Sequence, residues 1–254
     1  MDQERADAYL EAIGAERPKR LDTAALTELQ LRHLRSVPFE NLDIHLGRPV
    51  PLTEDALLEK IVDRGRGGFC YELNGAFAAL LTALGFRVEL LAARVFAGDR
   101  LGIPFDHLAL RVELDRPWLV DVGFGRFAQQ PLRLDRRDEQ QDPAGLFQVV
   151  EREYGDLDVL QGGSPQYRLE CRPRVLADFT AGAWYHRTSP DSHFTRSTVC
   201  TRLTATGRVT LSDRKLVRTV GGERFEEEIT DDAALLDAYR EHFGIVLPKL
   251  PRKP

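Results

Sequence analysis

The chain is organised around the stretch Arg66-Gly67-Gly68-Phe69-Cys70-Tyr71-Glu72-Leu73-Asn74-Gly75. Apolar residues follow this turn at helical spacing, so the pattern predicts a helix that begins at or just before Cys70 and ends near Gly85. Those residues are Leu73, Phe77, Leu80, Leu81 and Leu84. The first turn of a helix offers unpaired N–H groups and the positive end of the helix dipole, which together stabilise a thiolate. Because free cysteines are often inert core residues, a catalytic and a structural role for Cys70 fit this stretch equally well.

The composition excludes several classes of protein. The chain has 254 residues, of which 43% are hydrophobic and 30% charged, so it suits one large domain or two to three small ones. A net charge of −5 predicts no nucleic-acid partner and no anionic membrane surface. Neither a signal peptide nor an apolar run of roughly 18 residues is present. The three cysteines are odd in number and widely spaced, which favours a cytoplasmic location, and no Cys and His spacing predicts a metal site.

Start and stop signals delimit three helices before the cysteine. A short amphipathic segment over residues 6–13 is expected to end at Gly14. Thr23 is expected to cap a second helix, and Pro38 is expected to end it. Thr53 is expected to cap a third helix.

After the cysteine helix the hydrophobic period changes to two, which is typical of strands. Strands are predicted as far as residue 171, followed by a helix over 175–185, four strands over 198–229 and a final helix over 231–244. The charged segment 135–143 is predicted to be a surface loop. This order, helices then antiparallel strands then a mixed region, favours an α+β fold.

One predicted hairpin carries the two groups that a nucleophilic thiolate needs, a base and a group that orients the base. His107 begins the first strand and Asp121 ends the second, and antiparallel pairing brings these ends together. We expect Asp121 to accept the Nδ1–H of His107 while Nε2 faces Cys70.

Each member of the set also has a structural explanation. A histidine at the start of a strand is more often structural than catalytic, and Asp121 can be a turn former before Val122-Gly123-Phe124-Gly125. The other five histidines lie in polar, loop-like or solvated contexts and are not expected to act: His33, His45, His186, His193 and His242.

Two further features lie near the candidate set. Glu40 and Arg66 are candidates to pair behind the cysteine turn, although two solvated charges fit the sequence equally. Gly123 and Gly125 flank Phe124, which offers close backbone approach and a hydrophobic wall, but this segment precedes no predicted helix and is a weak phosphate cradle.

Together these motifs resemble those of the arylamine N-acetyltransferase family. Besides the cysteine stretch, His107 and the segment Asp121–Gly125, the resemblance includes Pro38-Phe39-Glu40-Asn41-Leu42 and Thr188-Ser189-Pro190-Asp191-Ser192-His193-Phe194. It covers nearly the whole chain in the family's order. The resemblance implies a cysteine-protease-like α+β architecture in three domains: a helical bundle over 1–85 with the cysteine, an antiparallel β-barrel over 86–187 with the histidine and aspartate, and an α/β lid over 188–254.

The resemblance also implies a function. Cys70, His107 and Asp121 would form a catalytic triad that transfers acetyl from acetyl-CoA, the co-substrate, to an arylamine or arylhydrazine in a ping-pong reaction without a metal. Phe39, Phe124 and Phe194 would line the acceptor pocket. The expected CoA route comprises Gly123, Gly125, Ser197 and Thr198. One departure from the family pattern is Asp106, because many members carry an uncharged residue directly before the histidine.

Three other functions remain open at this stage. An amide synthase that closes a macrolactam from a carrier-bound polyketide has the same fold and triad. A hydrolase, either protease or thioesterase, would use the triad on water. A ligand-binding module with a degenerate triad is disfavoured because all three side chains are present. The sequence predicts no particular oligomeric state.

Overall fold

The computed structural model of this protein describes residues 1–252 and confirms the α+β class. The helices are α1 (Gln3–Ala12), α2 (Thr23–Ser36), α3 (Leu42–His45), α4 (Glu54–Leu58), α5 (Cys70–Ala83), α6 (Thr180–Thr188), α7 (His193–Arg196) and α8 (Asp232–Phe243). The strands are β1 (Phe39–Glu40), β2 (Arg87–Ala97), β3 (Arg100–Leu101), β4 (His107–Glu113), β5 (Pro117–Val120), β6 (Leu132–Arg133), β7 (Gln140–Asp142), β8 (Gly145–Glu151), β9 (Leu157–Gln161), β10 (Ser164–Arg174), β11 (Val199–Leu203), β12 (Gly207–Ser212), β13 (Lys215–Val220) and β14 (Glu223–Glu228). Over residues 1–252, each helix is too short or too polar to traverse a bilayer.

The helix caps differ in two places from the sequence-based expectation. Asp22, not Thr23, caps α2, because its carboxylate accepts the N–H of Ala25 at 3.0 Å. Thr53 stands at the cap position of α4 but forms no side-chain cap hydrogen bond, and α4 continues as a π-helical turn over Glu59–Asp63.

Helix α5 lies in the largest hydrophobic core and begins at Cys70, as the sequence predicts. Its start is held by Glu72, whose carboxylate accepts the N–H of Phe69 at 3.1 Å. The chain leaves the helix through Gly85, which has a φ of +101°, a conformation that favours glycine. Helix α5 contacts β2 and β4, so the cysteine lies against the sheet that carries the histidine.

The larger sheet is a nearly closed antiparallel barrel in the order β6-β5-β4-β2-β10-β9-β8-β7, with β3 paired to β2. The predicted hairpin is present, with Leu110 opposite Val120. Between the two edge strands, the Gln140 amide replaces a strand partner: it accepts the N–H of Arg133 at 2.7 Å and donates to its carbonyl at 3.0 Å. The prediction of a surface loop over 135–143 is therefore wrong for Gln140–Asp142, which form a strand. The side chains of Gln140 and Asp142 are buried there because they satisfy backbone groups.

The smaller sheet has the order β1-β11-β12-β13-β14 and packs against α8 through a separate hydrophobic core. Strand β1 comes from the N-terminal third and pairs with β11, with Phe39 opposite Thr201. On its other side the N–H of Glu40 donates to the carbonyl of Gly68 at 2.8 Å. The cysteine turn is thus linked through β1 to the C-terminal sheet. The domain boundaries at 85 and 187 stay a prediction.

Candidate active site

Three side chains from separate elements meet at the start of α5. Cys70 is the first residue of that helix, His107 the first residue of β4, and Asp121 follows the end of β5. Nε2 of His107 lies 2.7 Å from Oδ2 of Asp121, and the Cys70 thiol neighbours the His107 ring. All three residues are buried, with Cys70 4% exposed and the other two 2% exposed. The hairpin therefore brings together the groups that the sequence analysis paired.

The orientation expected for the His107 ring is wrong. Nε2, not Nδ1, contacts Asp121, so Nδ1 is the nitrogen left for Cys70. The register explains the reversal. Leu110 is opposite Val120, so Asp121 falls opposite Ala109 and lies diagonally across the ladder from His107. Because diagonal neighbours are about 7–8 Å apart, the carboxylate is reached by the nitrogen farther from the backbone.

The surroundings of His107 favour its protonated form. Burial lowers the pKa of His107, but the charge of Asp121, its hydrogen bond and the neighbouring Cys70 thiol outweigh burial and raise that pKa to about 10. The ring also packs against Tyr167 and Phe124, each with its centroid 5.2 Å away. At neutral pH the ring is therefore an imidazolium enclosed by aromatic walls, next to a thiol that can serve as its counter-ion.

Asn74 holds the carboxylate of Asp121 in place. It lies one turn after Cys70 on α5 and is fully buried. Its amide donates to Oδ1 of Asp121 at 2.9 Å and to the carbonyl of Leu108 at 2.6 Å, and its oxygen accepts the N–H of Val122 at 2.9 Å. Asn74 belongs to the cysteine stretch, but no role for it was predicted from the sequence. Its spacing of four residues from Cys70 places both side chains on one helix face and was the available signal.

A network of buried charges lies behind the cysteine turn. Arg66 and Glu40 form an ion pair at 2.6 Å, so of the two alternatives considered, pairing and two solvated charges, pairing is the one observed. Lys60 lies 2.7 Å from Glu72 and 2.9 Å from Asp43. Buried ions are retained when they are paired, and here the pairs join the turn before α5 to β1, α3 and the π-helical turn. The network therefore holds the helix start that presents Cys70.

A cavity of about 1020 Å³ opens above Cys70 and His107. Six of the seven residues expected to bind substrate lie in its wall: Phe39, Gly123, Phe124, Gly125, Phe194 and Ser197. Thr198 is directed elsewhere. Its N–H and hydroxyl both contact the carboxylate of Asp213, at 2.9 and 3.3 Å, where they stabilise the β12–β13 turn.

The cavity wall also contains charged and polar residues that the sequence analysis did not select. Arg94, Arg100, Arg126 and Arg196 lie there, as do Asp106, His186, Ser192 and His193. Three of the histidines that were assigned to polar, loop-like or solvated contexts are buried instead: His33, His45 and His186. These residues come from three parts of the chain, and no local pattern distinguishes them from surface charges. Within residues 1–252, no group of three or more His, Cys, Asp or Glu side chains is placed to hold a metal ion.

Replacing Gly123 by alanine should misplace the site. A Cβ at this position would lie 2.7 Å from Cα of Cys70 and 2.7 Å from Nδ2 of Asn74. Because Cα is backbone, the helix start or the strand end must shift, and a displacement approaching 1 Å costs on the order of 100-fold in catalysis. We expect Gly123→Ala to lose about that factor in kcat/KM while a circular dichroism spectrum of a folded protein persists. Wild-type kcat/KM in this variant would show that the close approach is not needed.

Known proteins match this chain over most of its length. A family model described as N-acetyltransferase matches residues 22–251. The arylamine N-acetyltransferase of Mycolicibacterium smegmatis is 36% identical over 255 residues, which cover 95% of this chain and 92% of the relative. A solved structure of the M. smegmatis enzyme superposes with a TM-score of 0.86 at 37% identity, covering 94% of this chain and 91% of the other. The Mycobacterium marinum arylamine N-acetyltransferase in complex with CoA gives a TM-score of 0.85 at 31% identity, with 94% and 92% covered. Given these matches, the chain belongs to the arylamine N-acetyltransferase family.

Proposed function

We propose that this protein transfers the acetyl group of acetyl-CoA to arylamines and arylhydrazines through an acetyl-cysteine at Cys70. The observation that carries the proposal is the meeting of Cys70, His107 and Asp121 at the base of a cavity of about 1020 Å³. That volume is at the upper end of the range for small-molecule sites, which suits two substrates that enter in turn. The M. smegmatis relative is named for arylamine N-acetylation, and the M. marinum relative binds CoA.

In the first half-reaction the thiolate of Cys70 attacks the carbonyl carbon of the acetyl thioester. The oxyanion that develops is stabilised by N–H groups of the first turn of α5, such as that of Cys70, which have no partner within the helix. The C–S bond to CoA then breaks, and the CoA sulfur takes the proton of the His107 imidazolium. The products are free CoA, acetyl-Cys70 and a neutral His107.

In the second half-reaction the amine attacks the acetyl-cysteine. Acetylation removes the charge of Cys70, which helps to raise the pKa of His107, so the neutral ring can act as a base. Nδ1 takes a proton from the attacking nitrogen, the C–S bond breaks, and the Cys70 thiolate and His107 imidazolium are restored. Asp121 keeps its charge throughout and positions the ring.

The walls of the cavity fit these roles. Phe39, Phe124 and Phe194 offer the apolar faces that an aromatic acceptor needs and exclude water from the acetyl-cysteine. The four cavity arginines provide positive charge for the phosphates of CoA. Gly123, Gly125 and Ser197 would lie along the CoA route.

The alternatives are less well supported. The M. smegmatis and M. marinum relatives are both named as arylamine N-acetyltransferases. These names favour an acetyltransferase over a macrolactam synthase. A hydrolase needs water at the acyl-cysteine, whereas the cavity beside Cys70 is lined by three phenylalanine rings, Phe39, Phe124 and Phe194. The cytoplasmic location stays a prediction, and three free cysteines are consistent with it.

The test is a panel of arylamines and hydrazines with acetyl-CoA, with release of the free CoA thiol followed over time. We expect one equivalent of CoA in a burst without acceptor, an acetyl group on Cys70 by mass spectrometry, and sustained turnover with ping-pong kinetics when an acceptor is added. Consumption of acetyl-CoA without amine at the rate seen with amine would identify a hydrolase instead.

A further inference from the structure

A second carboxylate–imidazole pair lies in the wall of the same cavity. Oδ1 of Asp106 is 3.0 Å from Nε2 of His186, and Nδ1 of His186 is 3.2 Å from Oγ of Ser192. His186 and Ser192 are each only 3% exposed. Asp106 directly precedes His107, yet the proposed mechanism assigns no step to it or to its partners.

The pair joins the barrel to the short helix that carries Phe194. Oδ2 of Asp106 accepts the N–H of Val95 in β2 at 3.1 Å, which leaves Oδ1 for His186 in α6. Ser192 caps α7 by accepting the N–H of Phe194 at 3.2 Å while its hydroxyl faces His186. Nε2 of His186 also lies within hydrogen-bond distance of the backbone carbonyl of Asp106, at 3.2 Å. Polar contacts of Asp106, His186 and Ser192 thus link β2 to the start of α7.

Helix α6 is seated closely on the segment before His107. Gly182 lies one turn before His186, and a Cβ there would be 2.6 Å from the carbonyl oxygen of Phe105 and 2.6 Å from Oη of Tyr71. That hydroxyl donates to the carbonyls of Phe105 and Asp106, at 2.6 and 3.0 Å. Phe105 has a φ of +58°, which a phenylalanine adopts only where its surroundings hold it. The contact with α6 is therefore built into this segment.

The part of the site that depends on this contact is the aromatic wall of Phe39, Phe124 and Phe194 that would hold the acceptor, called the acceptor wall below. The Phe194 ring packs between the rings of His186 and Phe39, at centroid distances of 5.2 and 6.0 Å. His107 is held separately, by Asp121 and through it by Asn74. Loosening Asp106 from His186 should therefore displace Phe194 and leave the nucleophile and base in place.

We propose that Asp106 and His186 are a positioning pair that sets the acceptor wall, and so acts on the second half-reaction and not on the first. The inference rests on the proposed function, because it assigns Phe194 to the acceptor. It makes Asp106, the acidic residue before His107, a determinant of acceptor use.

The test measures the two half-reactions separately. Acylation is followed as the burst of CoA without acceptor, and deacylation by mixing acetylated enzyme with an arylamine. Asp106→Asn leaves a single side-chain acceptor oxygen for two donors and keeps only the backbone carbonyl of residue 106 as a second acceptor for His186. His186→Phe removes both ring nitrogens. We expect each variant to lower kcat/KM for the arylamine about 10-fold through misplacement of the wall, and the acylation rate to change by less than about twofold.

Three comparisons sharpen the test. The double variant should be no more impaired than His186→Phe alone, because His186→Phe already removes the contact that Asp106→Asn weakens. His186→Gln keeps an N–H donor for Asp106 and should retain most of the deacylation rate. His242→Gln, in α8 outside the cavity wall, is the matched histidine control and should match wild type in both steps.

The proposal is overturned if both half-reactions fall together in Asp106→Asn, or if deacylation is unchanged in that variant and in His186→Phe. If His186→Phe does not fold, Asp106→Asn alone decides between these results. Failure of the proposed function would look different, because the wild-type enzyme itself would then release no burst of CoA.

Discussion

Replacing Cys70 by serine should abolish acetyl transfer while the protein still folds. A serine hydroxyl is a far weaker acid than a thiol, so His107 has no anion to pair with, and the proposed acetyl-enzyme cannot form at a useful rate. Loss of the nucleophile typically costs about 10⁴-fold or more in kcat. The measurement is CoA release with an arylamine, accompanied by a thermal unfolding curve.

Cys171→Ser is the matched control for this variant. Cys171 is a half-buried residue of β10 and does not line the cavity, so its replacement should leave kcat unchanged. Near-normal turnover by Cys70→Ser would refute acyl transfer through this cysteine.

Asp121→Asn should be nearly as damaging, although it changes the volume of the side chain very little. Oδ1 of Asp121 accepts two donors, Nδ2 of Asn74 and the N–H of Gly123, each at 2.9 Å. The amide oxygen of asparagine would take that position, which turns its NH₂ toward Nε2 of His107. Nε2 must then accept, so the proton of the neutral ring lies on Nδ1 and no lone pair faces Cys70. We expect a loss of about 10³- to 10⁴-fold in kcat.

The reactivity of Cys70 should fall in the same variant. Without the carboxylate charge, burial is left to lower the pKa of His107, and the imidazolium that would stabilise a thiolate is lost. Alkylation by iodoacetamide at neutral pH should therefore be slower than in wild type. Asp237→Asn, at an exposed position of α8, is the matched control. Wild-type kcat in Asp121→Asn would mean that the carboxylate does not orient the base.

The features that were predictable from sequence are those set by local pattern. The helix that begins at Cys70 follows from its apolar spacing and the glycines before it, and α5 begins at that residue. The approach of His107 to Asp121 follows from the antiparallel hairpin, whose register pairs Leu110 with Val120. Both features depend on a periodic pattern over a few neighbouring residues, and such a pattern is visible in the sequence itself.

The features that were missed depend on contacts between distant segments. The nitrogen of His107 that meets Asp121 is set by a diagonal across the hairpin ladder, not by the order of residues. His186 has the sequence context of a solvated helix, yet it is buried because Gly182 lets α6 approach Phe105. Gln140 lies in a charged segment that reads as a loop, and only the closure of the barrel makes its amide a strand partner.

The chemistry proposed for this site depends on a thiolate–imidazolium pair formed by Cys70 and His107. Its most direct test is the pH dependence of alkylation by iodoacetamide, with each cysteine followed by mass spectrometry. Because the folded pKa of His107 is raised to about 10, the imidazolium persists as pH rises through neutrality and is lost only near that value. Cys171 and Cys200 should react slowly, since burial raises the pKa of both thiols. We predict that Cys70 reacts fast at neutral pH, with a rate that is flat up to about pH 9. A rate that is low at neutral pH and rises through about pH 8.5, as for a free thiol, would contradict the account.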